Sequence, residues 1–226
     1  MKAAVSTPNG LELRDIPQPV PKPNEVLVRV KACGLNRADL SAARATFGHG
    51  VMGAALGLEH AGEVVDVGAE VKGFKAGDSV VCAAGGGYAE YAVADHGRTL
   101  PIPKGLSFEQ AAVLPVALNT LHNALITRGR LKAGESVLIQ GASSGVGLMG
   151  LQIAKMKGAK PVMGSATNDA RRARLKNPPA RTSTHAESVP TRTGLVELVS
   201  REPVPSCPNS LPPHVQMLPS RFKPMP

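Results

Sequence analysis

Residues 136–164 read SVLIQGASSGVGLMGLQIAKMKGAKPVMG. Ser136–Gln140 is an apolar run short enough to be a fully buried strand. A glycine-rich turn follows. From Gly145 to Gly158, Val146, Met149, Ile153 and Ala154 fall on one helical face, and Gly158 is placed to end the helix in the left-handed region. Pro161–Gly164 then reads as a second strand, proline being tolerated at a strand's first position. Strand, glycine turn, helix and strand make one βαβ unit, whose crossover requires a parallel pair. One unit is not a domain.

Upstream, to about residue 105, short β-like runs are punctuated by Gly, Pro, Asn and Asp. Val26, Val28 and Val30 alternate with Leu27, Arg29 and Lys31, the period of a half-buried strand after the Pro17–Pro23 turn segment. Glu63–Val67, Ser79–Cys82 and Tyr88–Val93 read as further strands, so this part is expected to be a small barrel or sandwich in which Tyr88 and Tyr91 pack. From about Ser107 the period becomes helical: Phe108, Ala111, Ala112 and Leu114, then Val116 to Leu125. After about Lys176 the character changes abruptly. Eleven of the 20 prolines but only one glycine, Gly194, lie in 177–226, which reads as disorder.

Composition narrows the function. Of 226 residues, 42% are hydrophobic and 19% charged, as in globular proteins, so collagen, coiled coil and wholly disordered chains are excluded. Aromatics are only 3%, with no Trp, which argues against stacked-base binding of single strands. The net charge of +9 is spread along the chain: 21 Lys and Arg against 14 Asp and Glu in residues 1–176, and 5 against 3 beyond. No nucleic-acid module is recognisable and no nucleic-acid partner is expected. Cys33, Cys82 and Cys207 form neither a disulfide framework nor a CxxC zinc pattern, which fits a reducing cytoplasm. No signal peptide and no membrane-length apolar run is read, so a cytoplasmic protein without membrane contact is expected.

The glycines carry the chemistry. Gly141-Ala-Ser-Ser144-Gly145-Val146-Gly147-Leu-Met-Gly150 follows a strand and opens a helix, and holds a literal GxGxxG at Gly145, Gly147 and Gly150. Glycines there let the oxygens of a pyrophosphate approach main-chain N–H groups at the positive end of the helix. The alternative is a glycine-rich turn with no ligand. An NAD site places Asp or Glu about 20 residues on, to bond the ribose 2′-hydroxyl. Here no acid occurs before Asp169, whereas Ser165, Thr167 and Asn168 can donate hydrogen bonds and Arg171 and Arg172 can pair with a 2′-phosphate. NADPH is thus expected over NADH, the alternative being that these arginines are a solvated helix face.

Six ordered motifs over residues 1–175 resemble the medium-chain dehydrogenase/reductase superfamily, in its zinc-independent quinone oxidoreductase (zeta-crystallin-like) branch. They are Gly34-Leu-Asn-Arg-Ala-Asp39, Gly57-Leu-Glu59-His60-Ala-Gly62 through Gly68, Gly77-Asp78-Ser-Val80, Gly87-Tyr-Ala-Glu90-Tyr, Gly129 to Gly134, and the glycine turn. The resemblance implies α/β plus β architecture: a GroES-like β-barrel substrate domain at 1–121 without its C-terminal return, then residues 122–176 as the first part of a Rossmann domain. It further implies NADPH-dependent reduction of quinones or related conjugated carbonyls by metal-free hydride transfer. Zinc-dependent relatives carry Cys where Asn36 stands and His where Leu58 stands, so no zinc is expected. His60 reads as core or surface.

In the resembled branch an Asn lies near the nicotinamide, and a Tyr often follows five residues later. Asn36 matches the first; Ser41 stands at the second and can bond through water. Asn36 is alternatively an Asx-type turn. Thr120 matches a threonine near the cofactor ribose, or bonds its own helix backbone. The likeness ends near Lys176, before the later Rossmann strands and the family's homodimer edge. Residues 177–226 are therefore expected to be an out-of-frame or unrelated tail, or a disordered tail of a short form. The alternative function is a non-catalytic fragment or partner-binding remnant of such an enzyme.

Overall fold

The computed structural model describes residues 1–8, 10–43, 54–167, 169–176 and 215–217. The chain divides into two compact units, Met1–Val116 and Ala117–Pro226. Asn168 and most of the tail lie outside the described residues.

The first unit opens with an antiparallel hairpin, β1 (Lys2–Thr7) with β2 (Gly10–Asp15). Five further strands form one antiparallel sheet: β3 (Glu25–Cys33), β4 (His60–Val67), β5 (Ser79–Cys82), β6 (Tyr91–Asp95) and β7 (Thr99–Pro101), in the order β6-β3-β4-β5-β7. The expected valine alternation holds on part of β3: Val26 and Val28 are fully buried and join Val64, Val80, Cys82 and Ala94 in a core under one face, while Val30 is only half-buried. Each such valine contributes about 1.5–3 kcal/mol. The other face is not left to water, because α2 (Phe108–Ala112) covers it, packing Ala111 and Ala112 on Ala61 and Val81. Leu27 is buried too, so β3 is not half-exposed along its whole length.

Helix α2 starts at a full capping box in which Ser107 and Gln110 bond each other's backbone N–H, the arrangement that satisfies orphan helix donors. The strand expected at Tyr88–Val93 begins three residues later. The backbone of 88–90 is bonded elsewhere: Ala4 N–H donates to Tyr88 O at 2.8 Å, and Tyr88 N–H to Leu56 O at 2.8 Å. A seven-residue helix, α1 (Arg37–Ala43), follows β3 and is too short to have shown a period.

The second unit contains the expected βαβ. β8 (Val137–Ile139) pairs in parallel with β9 (Val162–Gly164), and α4 (Gly145–Met156) connects them. Met149, Leu151, Ile153 and Ala154 are buried on α4, and Gly158, at φ +77°, ends it as expected. Helix α3 (Pro115–His122) starts at Pro115 itself and continues as a π-helical segment, Asn123–Arg128. Helix α5 (Asp169–Lys176) follows β9. The expectation of a structureless tail is corrected at one point: Val215–Met217 forms β10, antiparallel to β8, which satisfies backbone groups along that strand's second edge.

Candidate functional site

Two groups of side chains are candidates for chemistry, one in each unit. In the second, residues 141–147 turn the chain from β8 into α4. Gly141 has φ +65°, which a side chain would resist. Ser144 caps the helix: its Oγ accepts from Gly147 N–H at 3.0 Å and donates to Gly141 O at 2.8 Å, and its carbonyl accepts from Leu148 N–H at 2.8 Å. The N–H groups of Gly145 and Val146, at the first two helical positions, have no partner among the described residues.

The glycines of this turn have different reasons to be glycine. A Cβ on Gly147 would overlap Gly141 O and lie 2.6 Å from Ala142 Cα, so the protein's own backbone fills that space. On Gly150 it would lie 2.7 Å from side-chain atoms of both Ile139 and Leu121. On Gly145 it would meet nothing within 4 Å. The literal pattern treats the three alike, whereas packing uses up Gly147 and Gly150. Gly147 takes the helix-to-strand packing role of a fingerprint's last glycine, which puts Ser144 at the middle position. Because Ser144 Oγ is committed to the turn, the open Gly145 face and two unpaired amides remain, and these fit a diphosphate at the helix's positive end.

Ser165 is brought to this turn by its backbone, accepting from Ala142 N–H at 2.9 Å and donating to Ile139 O at 3.0 Å. Thr167 and Arg171 are exposed beyond it, Arg171 in α5. Thr120 is exposed on α3, next to Leu121, which packs on Gly150. Asn168 lies outside the described residues.

In the first unit, Asn36 and Ser41 lie at the start and on the body of α1, both half-buried. The Asn36 side chain reaches across 23 residues rather than back to its own turn: Nδ2 donates to Glu59 Oε1 at 2.9 Å. Glu59 is 3% exposed, and its second oxygen, Oε2, accepts from Val116 N–H at 2.8 Å. Gly34 makes room, since a Cβ there would overlap Glu59 Oε1. Burial pushes the Glu59 carboxyl above the usual carboxylate range; the Val116 and Asn36 hydrogen bonds oppose this, and the charge of Asp39 adds to it.

Asp39 is 6% exposed; its Oδ2 accepts from Asn36 N–H at 2.8 Å and from the Tyr88 hydroxyl at 2.6 Å, while Oδ1 has no partner among the described residues. Burial, then the bond to Asp39, push the Tyr88 phenol up, and burial and Asp39 likewise raise the Cys33 thiol. Tyr88 therefore stays protonated, and it does more than pack: it ties Asp39 to the Gly34 carbonyl at 3.2 Å. Glu59 and Asp39 were legible only as motif members, and Tyr88 as a motif member and packing residue. Tyr88 lies 49 residues from Asp39, and Val116 57 residues from Glu59, beyond any local period.

His60 is fully buried, so of the two placements open to it the core is the one found. Neither ring nitrogen makes a well-formed hydrogen bond among the described residues. Burial lowers its pKa to about 4, weakly opposed by the Ala84 backbone, so the ring is neutral at pH 7. Among the described residues, no three His, Cys, Asp or Glu side chains gather as a metal site. No helix among them is long and apolar enough to cross a membrane. Three leucines near these residues in the chain are exposed: Leu35 (84%) precedes Asn36, Leu40 (60%) lies on α1, and Leu58 (39%) precedes Glu59, whose carbonyl accepts from Gly34 N–H at 3.2 Å.

Residues 22–104 match the Alcohol dehydrogenase GroES-like domain family. The chain is 38% identical over 174 residues to a quinone oxidoreductase of Homo sapiens, covering 75% of this chain and 53% of that protein. It is 39% identical over 160 residues to a quinone oxidoreductase of Pseudomonas aeruginosa, covering 70% and 49%. Among solved structures it is similar to a quinone oxidoreductase of Pseudomonas syringae pv. Tomato DC3000, with TM-score 0.70, 34% identity, and 78% of this chain and 56% of that chain covered. The chain thus spans about half the length of the curated relatives it matches.

Proposed function

The chain belongs to the medium-chain dehydrogenase/reductase superfamily, in its quinone oxidoreductase-like branch, and on that footing we propose that it is an NADPH-dependent reductase of quinones or related conjugated carbonyls that needs no metal. The observation that carries this is the turn from β8 to α4, whose open Gly145 face and two unpaired amides suit a dinucleotide diphosphate. Ser165, Thr167, Asn168 and Arg171 follow β9, where the 2′-phosphate of NADP is gripped in such folds. Thr120 is the further residue proposed to contact the cofactor. When bound, the dihydronicotinamide supplies a hydride.

This chain's own contribution is position. Asn36 is proposed to hydrogen-bond the reacting end of the ligand pair, with Leu35, Leu40 and Leu58 offering apolar surface to a flat conjugated ring. Ser41, five residues on, is proposed to deliver a proton to the reduced oxygen through water. Zinc-dependent relatives of the resembled family carry a cysteine where Asn36 stands and a histidine where Leu58 stands, and neither residue here supplies such a ligand.

A second reading, a remnant that binds without turnover, is favoured by one observation: among the described residues, β8 and β9 are the only parallel pair. Titration of NADPH and NADH into the chain, followed by cofactor fluorescence, tests the proposal. Saturable binding, tighter for NADPH by tenfold or more, supports it; no binding, or equal binding, refutes it. Asn36→Ala should abolish quinone-dependent turnover. Binding without any turnover in the parent chain establishes the second reading.

A further inference from the structure

The bond between Asn36 and Glu59 holds information about what Asn36 can grip. An ionised carboxylate accepts hydrogen bonds and donates none. The group of Asn36 that faces Glu59 Oε1 at 2.9 Å is therefore its NH2, and the amide cannot be turned over without setting one acceptor against another. Glu59 itself has no freedom to adjust. Its Oε2 accepts from Val116 N–H at 2.8 Å, at the second position of α3 behind Pro115, which has no N–H to offer. The backbone of Gly34 closes over Oε1, and the side chain is 3% exposed.

We infer that Glu59 is a positioning residue that sets the orientation of the Asn36 amide, so that a ligand meets the carbonyl Oδ1 together with the one remaining N–H. This rests on the proposed contact role of Asn36 and adds its chemistry. The presented edge is an acceptor beside a donor, which a carboxamide matches at both points, whereas a quinone carbonyl, an acceptor only, uses the N–H alone. Protonating Glu59, or replacing it by glutamine, removes the acceptor-only condition. One of its two partners then meets a donor and must turn or let go.

The test uses the full chain, labelled with 15N and 13C, with the Asn36 side-chain NH2 resonances assigned by their loss in Asn36→Ser. In the unmutated chain these resonances should titrate together with the Glu59 carboxyl carbon, at one midpoint above the ordinary 4.5 of a glutamate. Asp39, Tyr88 and Cys33 also face this cluster, and a parallel titration of Asp39→Asn separates the influence of Asp39 on Glu59. In Glu59→Gln the Asn36 resonances should move and lose the titration step. Independent midpoints in the unmutated chain, or Asn36 signals unchanged by Glu59→Gln, overturn the inference. The first arm needs no folded variant at position 59. A joint midpoint together with no response of Asn36 to added NADPH upholds Glu59's role and refutes the ligand contact, which separates the two failures.

Discussion

The two glycines Gly145 and Gly147 are two residues apart in one helix turn, yet their substitution should have opposite consequences. In Gly147→Ala the new Cβ overlaps Gly141 O and lies 2.6 Å from Ala142 Cα, both backbone atoms that cannot swing aside. Overpacking of this kind costs about 1–3 kcal/mol, and backbone contacts put this case at the upper end. At about 2–4 °C per kcal/mol for a chain of this size, the melting temperature should fall by roughly 5–10 °C. In Gly145→Val the added atoms enter open space, and valine replaces the poorer helix former, so stability should change by less than about 0.5 kcal/mol. The same atoms would fill the place proposed for the diphosphate, so NADPH affinity should drop by more than tenfold. Thermal melts with and without NADPH, with cofactor fluorescence for affinity, read both effects. A Gly145→Val chain that binds NADPH like the parent would refute the assignment of the open face, and an undisturbed Gly147→Ala melt would refute the packing account.

Three other outcomes follow from the geometry. His60 is neutral in the fold with a pKa near 4, against about 6.5 unfolded, so the unfolded chain binds the extra proton between those values; stability is undiminished above pH 6.5 and falls by about 3 kcal/mol toward pH 4. Glu59 tilts the curve the opposite way above pH 4.5, so denaturant melts across that range should compare the parent with His60→Leu, which should lose the acid-side slope; an unaltered slope would exclude His60 as its source. Tyr88→Phe removes the donor to buried Asp39 and should cost about 1.5–3 kcal/mol in a denaturant melt, and a cost under about 0.5 would show that bond to be idle. Arg171→Ala should weaken NADPH at least tenfold while leaving NADH within about twofold, measured by fluorescence titration; equal losses for both would remove it from the phosphate site.

What the sequence could disclose depended on distance along the chain. The βαβ unit was legible because its signals are local: an apolar run, a glycine turn and a helical period within about 30 residues. β5 is legible at Ser79–Cys82 because Gly77 and Asp78 mark a turn just before it. The β1–β2 hairpin carries no such pattern: Leu11 and Leu13 of β2 are 58% and 71% exposed, so its apolar residues mark the outer face. The polar cluster was illegible for a different reason. Asn36 with Glu59 and Tyr88 with Asp39 are joined by tertiary pairing, and only the motif resemblance hinted that Glu59 and Asp39 matter. The glycine pattern was found as a string, but its division into packing glycines and one open glycine required the positions of Gly141, Ala142, Ile139 and Leu121.

Mixing the purified chain with NADPH and a simple 1,4-quinone, with and without a strong metal chelator, and following absorbance at the dihydronicotinamide band tests metal-free reduction of a conjugated carbonyl by NADPH. Quinone-dependent loss of NADPH is expected, left unchanged by the chelator and abolished by Asn36→Ala. No quinone-dependent oxidation above the uncatalysed rate, or turnover that the chelator removes, would contradict it.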